Sequence, residues 1–112
     1  MDDEIMNDRV ARTSASAIGQ RLEDLRAAFS HSKNDFAQLL GVTPNLYNSW
    51  ISGRSVPNRI VLDLLCERFG VSADWLLRGR DHGVSLGAAR KLGWVPEEPS
   101  ARLLSRPRTR KT

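Results

Sequence analysis

The chain has 112 residues, 40% of them hydrophobic, and its 17 Lys and Arg against 13 Asp and Glu leave a net charge of +4. That length suits one domain, of which roughly 60 to 80 residues are needed for a compact helical core. The single Cys66 excludes an intramolecular disulfide and fits a reducing cytosol, no apolar run approaches the roughly 18 residues of a membrane span, and the acidic start MDDEIMNDR lacks the apolar core of a signal peptide.

Charge is unevenly spread. Residues 1–8 carry four acids and no base, residues 9–79 nine bases and six acids, and residues 80–112 eight bases and three acids. Residues 1–13 lack periodicity and read as a flexible leader, 14–79 as the folded domain, and 80–112 as a basic, largely disordered tail. A first helix, capped by Ser14 or Ser16, runs to about Phe29 with Ile18, Leu22, Leu25 and Phe29 on its apolar side. Arg21, Glu23, Asp24 and Arg26 fall on other faces, mostly as solvated charges. His31 is a loop residue.

Ser32 caps a second helix, with Asp35 three residues on as an approximate capping box. Phe36, Leu39 and Leu40 mark its buried side, beside the small Ala37, and Gly41 ends it in a left-handed conformation. Thr43 starts a third helix as N-cap, with Pro44 at the first helical position. Tyr47 and Trp50 face inward with Val42, while Asn45, Asn48 and Ser49 face out. This is a helix-turn-helix. A fourth helix follows over about Asn58 to Phe69, with Val61, Leu62, Leu65, Cys66 and Phe69 inward and Gly70 closing it. Cys66 reads as a core thiol. Ser72 caps a short fifth helix that Gly79 ends. Trp75, Leu76 and Leu77 are too apolar to be exposed together, so some pack inward and the rest meet a partner chain. Ser85 to Trp94 is a poor helix candidate because of its glycines. Trp94 either folds back onto the domain or marks a partner contact.

Ala37, Gly41, Val42, Tyr47, Trp50 and Gly53-Arg54, within Ile18 to Gly79, resemble the Cro/repressor-type helix-turn-helix. The stretch NSWISGRSVPNRIVLDLLCERFGVSADWLLRG is similar to the N-terminal DNA-binding domain of lambdoid phage repressors. The resemblance implies an all-α, five-helix, lambda-repressor-like fold and double-stranded DNA as partner. It places base contacts at Pro44, Asn45, Asn48 and Ser49. Asn45 leads, since an asparagine amide matches adenine N7 and N6. Leu46 is either a core flank or a contact to a thymine methyl.

Lys33 and Pro44 stand where family members often carry glutamine, and the recognition helix has no Arg for guanine, so specificity leans on A·T contacts and DNA shape. Phosphate contacts are expected from Lys33, Ser52, Arg54, Asn58 and Arg59. Trp50 resembles the family's core aromatic, with its indole N–H a further candidate for the DNA backbone. Arg102, Arg106, Arg108, Arg110 and Lys111 either trail along phosphates or solubilise the tail.

One short helix binds weakly alone, so a homodimer on a palindromic operator is expected, joined through Trp75, Leu76 and Leu77 or the tail. Only 33 residues follow Gly79, which removes the self-cleaving domain of longer phage repressors from the expectation. The reading is a cytoplasmic, nucleoid-associated transcriptional repressor. Its rival on the same fold is an antitoxin or an adaptor docking a protein through residues 75–94. There is no Gly-rich phosphate loop, Cys/His cluster or paired-carboxylate cleft, so no enzyme, cofactor or metal is expected.

Overall fold

The structure is a computed structural model and describes residues 11–94. The expected leader up to residue 10, and the tail beyond residue 94 with Arg102, Arg106, Arg108, Arg110 and Lys111, lie outside the described residues.

Among the described residues there is no strand. After a helical turn at 11–13 come α1 (Ala15–Ala28), α2 (Lys33–Leu40), α3 (Pro44–Ile51), α4 (Arg59–Phe69), α5 (Ala73–Arg78) and α6 (Leu86–Lys91). Each starts where a short polar side chain accepts a backbone N–H three residues ahead. The caps are Ser14, Ser32, Thr43, Asn58, Ser72 and Ser85, at 2.9–3.1 Å. Of the two candidate caps for α1, Ser14 does the capping. Gly41 ends α2 at φ 74°, where a Cβ would be strained, and its turn delivers Thr43 to open α3.

The core joins Leu22 and Leu25 of α1, Phe36, Ala37 and Leu40 of α2, Tyr47 and Trp50 of α3, Val61, Leu65 and Phe69 of α4, and Trp75 and Leu76 of α5. An aromatic path crosses it edge to face: Phe29 on Phe69 at 4.9 Å, Phe36 on Tyr47 at 5.6 Å, Tyr47 on Trp50 at 6.3 Å. Fully burying each large side chain stabilises the fold by about 1.5–3 kcal/mol. His31 is a loop residue, but its half-buried ring lies 5.9 Å from both Phe36 and Phe69. Cys66 packs against the core, and burial, helped by nearby Asp63, pushes its thiol pKa up.

Two expectations need correction. Trp75 and Leu76, offered as a surface for a partner chain, are 5% and 0% exposed. Only Leu77 is half-buried. Residues 80–94 are also more ordered than a tail: α6 forms despite Gly87, and Ala88 enters the core at 2% exposure. Ser85 N–H donates to Gly70 O at 2.7 Å, which pins α6 beside the end of α4. Trp94 folds back, its ring 5.5 Å from that of Trp75 and 41% exposed. Tertiary packing has overridden a weak helix propensity.

If α6 belongs to the cooperative unit, Ala88→Glu buries an unpaired carboxylate and lowers stability by about 2–4 kcal/mol in urea unfolding. An unchanged midpoint would show that α6 is not part of that unit.

Candidate nucleic-acid interface

The outward edge of α3 is set by what the helix buries. Tyr47 (0% exposed) and Trp50 (2%) point into the core. The 3.6-residue repeat then turns Asn45 and Asn48 to solvent. Pro44, Asn45, Leu46 and Asn48 are all exposed, Leu46 at 41%. Ser49 is different: it is half-buried, and its hydroxyl lies 2.7 Å from that of Ser55 in the following loop. The arrangement therefore takes Ser49 partly out of the edge that was to read bases. Trp50 is withdrawn altogether, since a ring so covered offers its N–H to no DNA backbone.

The cations stand on the flanks. Lys33 opens α2, Arg59 opens α4 and Arg54 lies in the loop after α3, all exposed. α3 itself carries no charge. Asn58 uses its side-chain oxygen to cap α4, at 2.9 Å from Val61 N, which leaves its amide NH2 to donate outward. Ser52 already donates its hydroxyl to Ser49 O at 3.1 Å, keeping an acceptor rather than a donor for solvent.

What holds α3 was not apparent from the sequence. Gly19, in the second turn of α1, faces the end of α3 so closely that a Cβ would stand 2.8 Å from Ile51 Cα and nearer still to Trp50 O. A glycine inside a periodic helix was the signal for such an approach. One turn of α1 also carries a half-buried polar knot. The Tyr47 hydroxyl donates to Glu23 Oε2 at 2.6 Å. Arg26 grips the same carboxylate through Nε and Nη2 at 3.1 and 3.0 Å and donates from Nη1 to His31 O at 2.6 Å. One carboxylate thus ties α1, α3 and the α1–α2 loop together. Arg21 does the like for α5, donating to Leu76 O at 3.0 Å and to Arg12 O. Glu23, Arg21 and Arg26 are accordingly half-buried joints, not solvated charges.

Electrostatics follow the geometry. Burial disfavours the Glu23 carboxylate, but hydrogen bonds from Arg26 and Tyr47 outweigh it and hold its pKa below the ordinary value. Burial, then the Glu23 hydrogen bond and charge, push the Tyr47 phenol far up, so it stays a neutral donor. Burial and the Arg12 charge lower the Arg21 pKa from its ordinary value. Among the described residues, no group of three His, Cys, Asp or Glu is arranged to hold a metal, and no helix is long and apolar enough to cross a membrane.

The family model described as a helix-turn-helix domain matches residues 19–82, more than half of the chain. The chain belongs to the helix-turn-helix domain family. This helix-turn-helix domain is 36% identical over 64 residues to the repressor protein CI of Enterobacteria phage phi80, across 57% of this chain and 27% of that one. It is 29% identical over 79 residues to Multiprotein-bridging factor 1 of Schizosaccharomyces pombe, 70% of this chain and 51% of that one. It is 34% identical over 62 residues to an uncharacterized HTH-type transcriptional regulator, YonR, derived from the SPbeta prophage of Bacillus subtilis, 55% of this chain and 57% of that one. In each case the match spans between about a quarter and somewhat over half of the relative's length. No solved structure gives a significant match.

The knot sets a pH dependence. A carboxyl whose folded pKa is depressed stabilises the fold above its unfolded value of about 4.3, and that stabilisation disappears as pH falls through the lower folded value. At pH 7 Glu23→Gln should cost about 1.5–3 kcal/mol, and its stability should fall less than wild type's between about pH 5 and 3. Parallel urea midpoints for the two proteins across that range would contradict the assignment.

Proposed function

We propose that this helix-turn-helix domain binds duplex DNA sequence-specifically, with α3 in the major groove, and regulates transcription as a repressor. The observation that carries this reading is the division of labour around α3: an exposed, uncharged edge at Pro44, Asn45, Leu46 and Asn48, with exposed cations Lys33, Arg54 and Arg59 on the flanking elements. Backbone contacts position a protein on DNA and base-edge contacts specify it. Lys33, Arg54 and Arg59 therefore serve the phosphates, with Asn58 and the more weakly placed Ser52 beside them. Asn45 and Asn48 serve adenine edges. Ser49 contributes through whatever its bond to Ser55 leaves free. Two relatives, named as a repressor and as a transcriptional regulator, agree with this reading.

A homodimer on a palindromic operator completes it, setting two α3 helices roughly 34 Å apart on one face of the duplex. Of the dimer residues expected from the sequence, Leu77 keeps accessible surface while Trp75 and Leu76 do not. Pairing thus draws on Leu77 and neighbouring exposed groups such as Trp94. Action is on the nucleoid, in the cytoplasm.

A second reading, an adaptor or antitoxin that binds a protein, has one observation in its favour. Trp94 is 41% exposed, and a relative is named a bridging factor. Co-purification of a partner lost in Trp94→Ala would favour it.

Selection of bound sites from random duplexes, followed by titration of the winners, tests the DNA reading. Asn45→Ala should relax preference at one base position, at a cost of about 1–3 kcal/mol. Lys33→Ala should weaken all sequences alike and reduce the salt slope by about one. Wild-type selectivity and affinity in both variants would refute these roles.

A further inference from the structure

The outward edge of α3 consists of two amides and two hydrocarbons: Asn45 and Asn48, Pro44 and Leu46. No charged side chain belongs to the helix, and the Ser49 hydroxyl is engaged by Ser55 at 2.7 Å. Leu46 sits in the first turn directly after Asn45, with 41% of its surface exposed. An exposed leucine alone means little. Its neighbours give this one meaning.

In the major groove guanine is read by Arg or Lys, and cytosine by a carboxylate. Adenine is read by an Asn or Gln amide, and the apolar group on a base edge is the thymine 5-methyl. The edge of α3 lacks the charged groups that read a G·C pair. It holds both of those that read A·T, in consecutive residues. Successive helical residues point about 100° apart, so Asn45 and Leu46 address neighbouring pairs rather than one.

Resting on the DNA-binding reading above, we infer that α3 reads a half-site core of A·T pairs, with Asn45 on an adenine edge and Leu46 packed against the methyl of an adjacent thymine. The phosphate contacts carry none of this discrimination. Leu46 is a specificity-determining residue, and truncating it leaves the core intact because its side chain is not part of it.

The test uses the full 112-residue chain. Sites are first selected from random duplexes. Each core thymine of the preferred site is then replaced in turn by uracil, which removes the 5-methyl and nothing else. One substitution should weaken binding about fourfold, the value of one buried methyl. Leu46→Ala should bind the thymine and uracil duplexes equally. A selected core of G·C pairs would overturn this inference alone. So would uracil duplexes bound as tightly as thymine ones, or a Leu46→Ala variant that still discriminates. Failure to retain any duplex overturns the DNA-binding reading, and this inference with it.

Discussion

The contact of α1 with α3 at Gly19 is the constraint on which the rest of the molecule depends. Helices normally pack 8–10 Å apart, at a distance set by the side chains between them. Here a missing side chain lets the α1 backbone approach Trp50 O and Ile51 Cα directly. That closeness brings the Tyr47 hydroxyl within 2.6 Å of Glu23, so a buried phenol finds the partner that burial obliges it to have. Arg26 adds two further bonds to the carboxylate and reaches His31 O. The α1–α2 loop, α1 and α3 are consequently fixed as a set, and the direction in which Asn45 and Asn48 project is fixed with them.

This rigidity suits the chemistry of the exposed edge. Neutral amides and a leucine gain little from long-range attraction and depend on being placed at the right depth and angle. On the proposed DNA-binding reading, the long-range attraction comes from elsewhere, from Lys33, Arg54 and Arg59 on the neighbouring elements. On that reading, keeping the two tasks on separate residues lets the charges orient the domain without competing for the surface that discriminates. The polar knot correspondingly meets α3 on its inner side, where Tyr47 supplies the hydroxyl, and leaves the exposed Asn45 and Asn48 out of it.

Features that depend on sequence neighbours were legible in advance. Ser32, Thr43 and Ser72 cap the helices they were expected to cap, because an N-cap needs only its own next three residues. Gly41 adopts φ 74° for an equally local reason. The inward set of Phe36, Leu40, Tyr47, Trp50, Leu65 and Phe69 followed from period alone. What the sequence concealed involves partners far along the chain. Glu23 looked solvated because Tyr47 is 24 residues away. Trp75 and Leu76 looked available because α6, which supplies Ala88 to the same core, has a glycine-bearing sequence that argues against a helix. Ser49 looked free because its partner Ser55 lies in a loop whose path no periodicity predicts. Gly19 could be noticed as odd, but only the path of α3 shows why it is needed.

The most direct test of this account is the unfolding free energy of Gly19→Ala. Helix propensity alone predicts that alanine at an interior helical position is more stable than glycine by about 0.5–1 kcal/mol. Close backbone packing of α1 against α3 predicts the opposite sign, a loss of about 1–3 kcal/mol as the two helices are forced apart. A stability equal to or above that of the wild-type protein would contradict the claim that this contact positions α3.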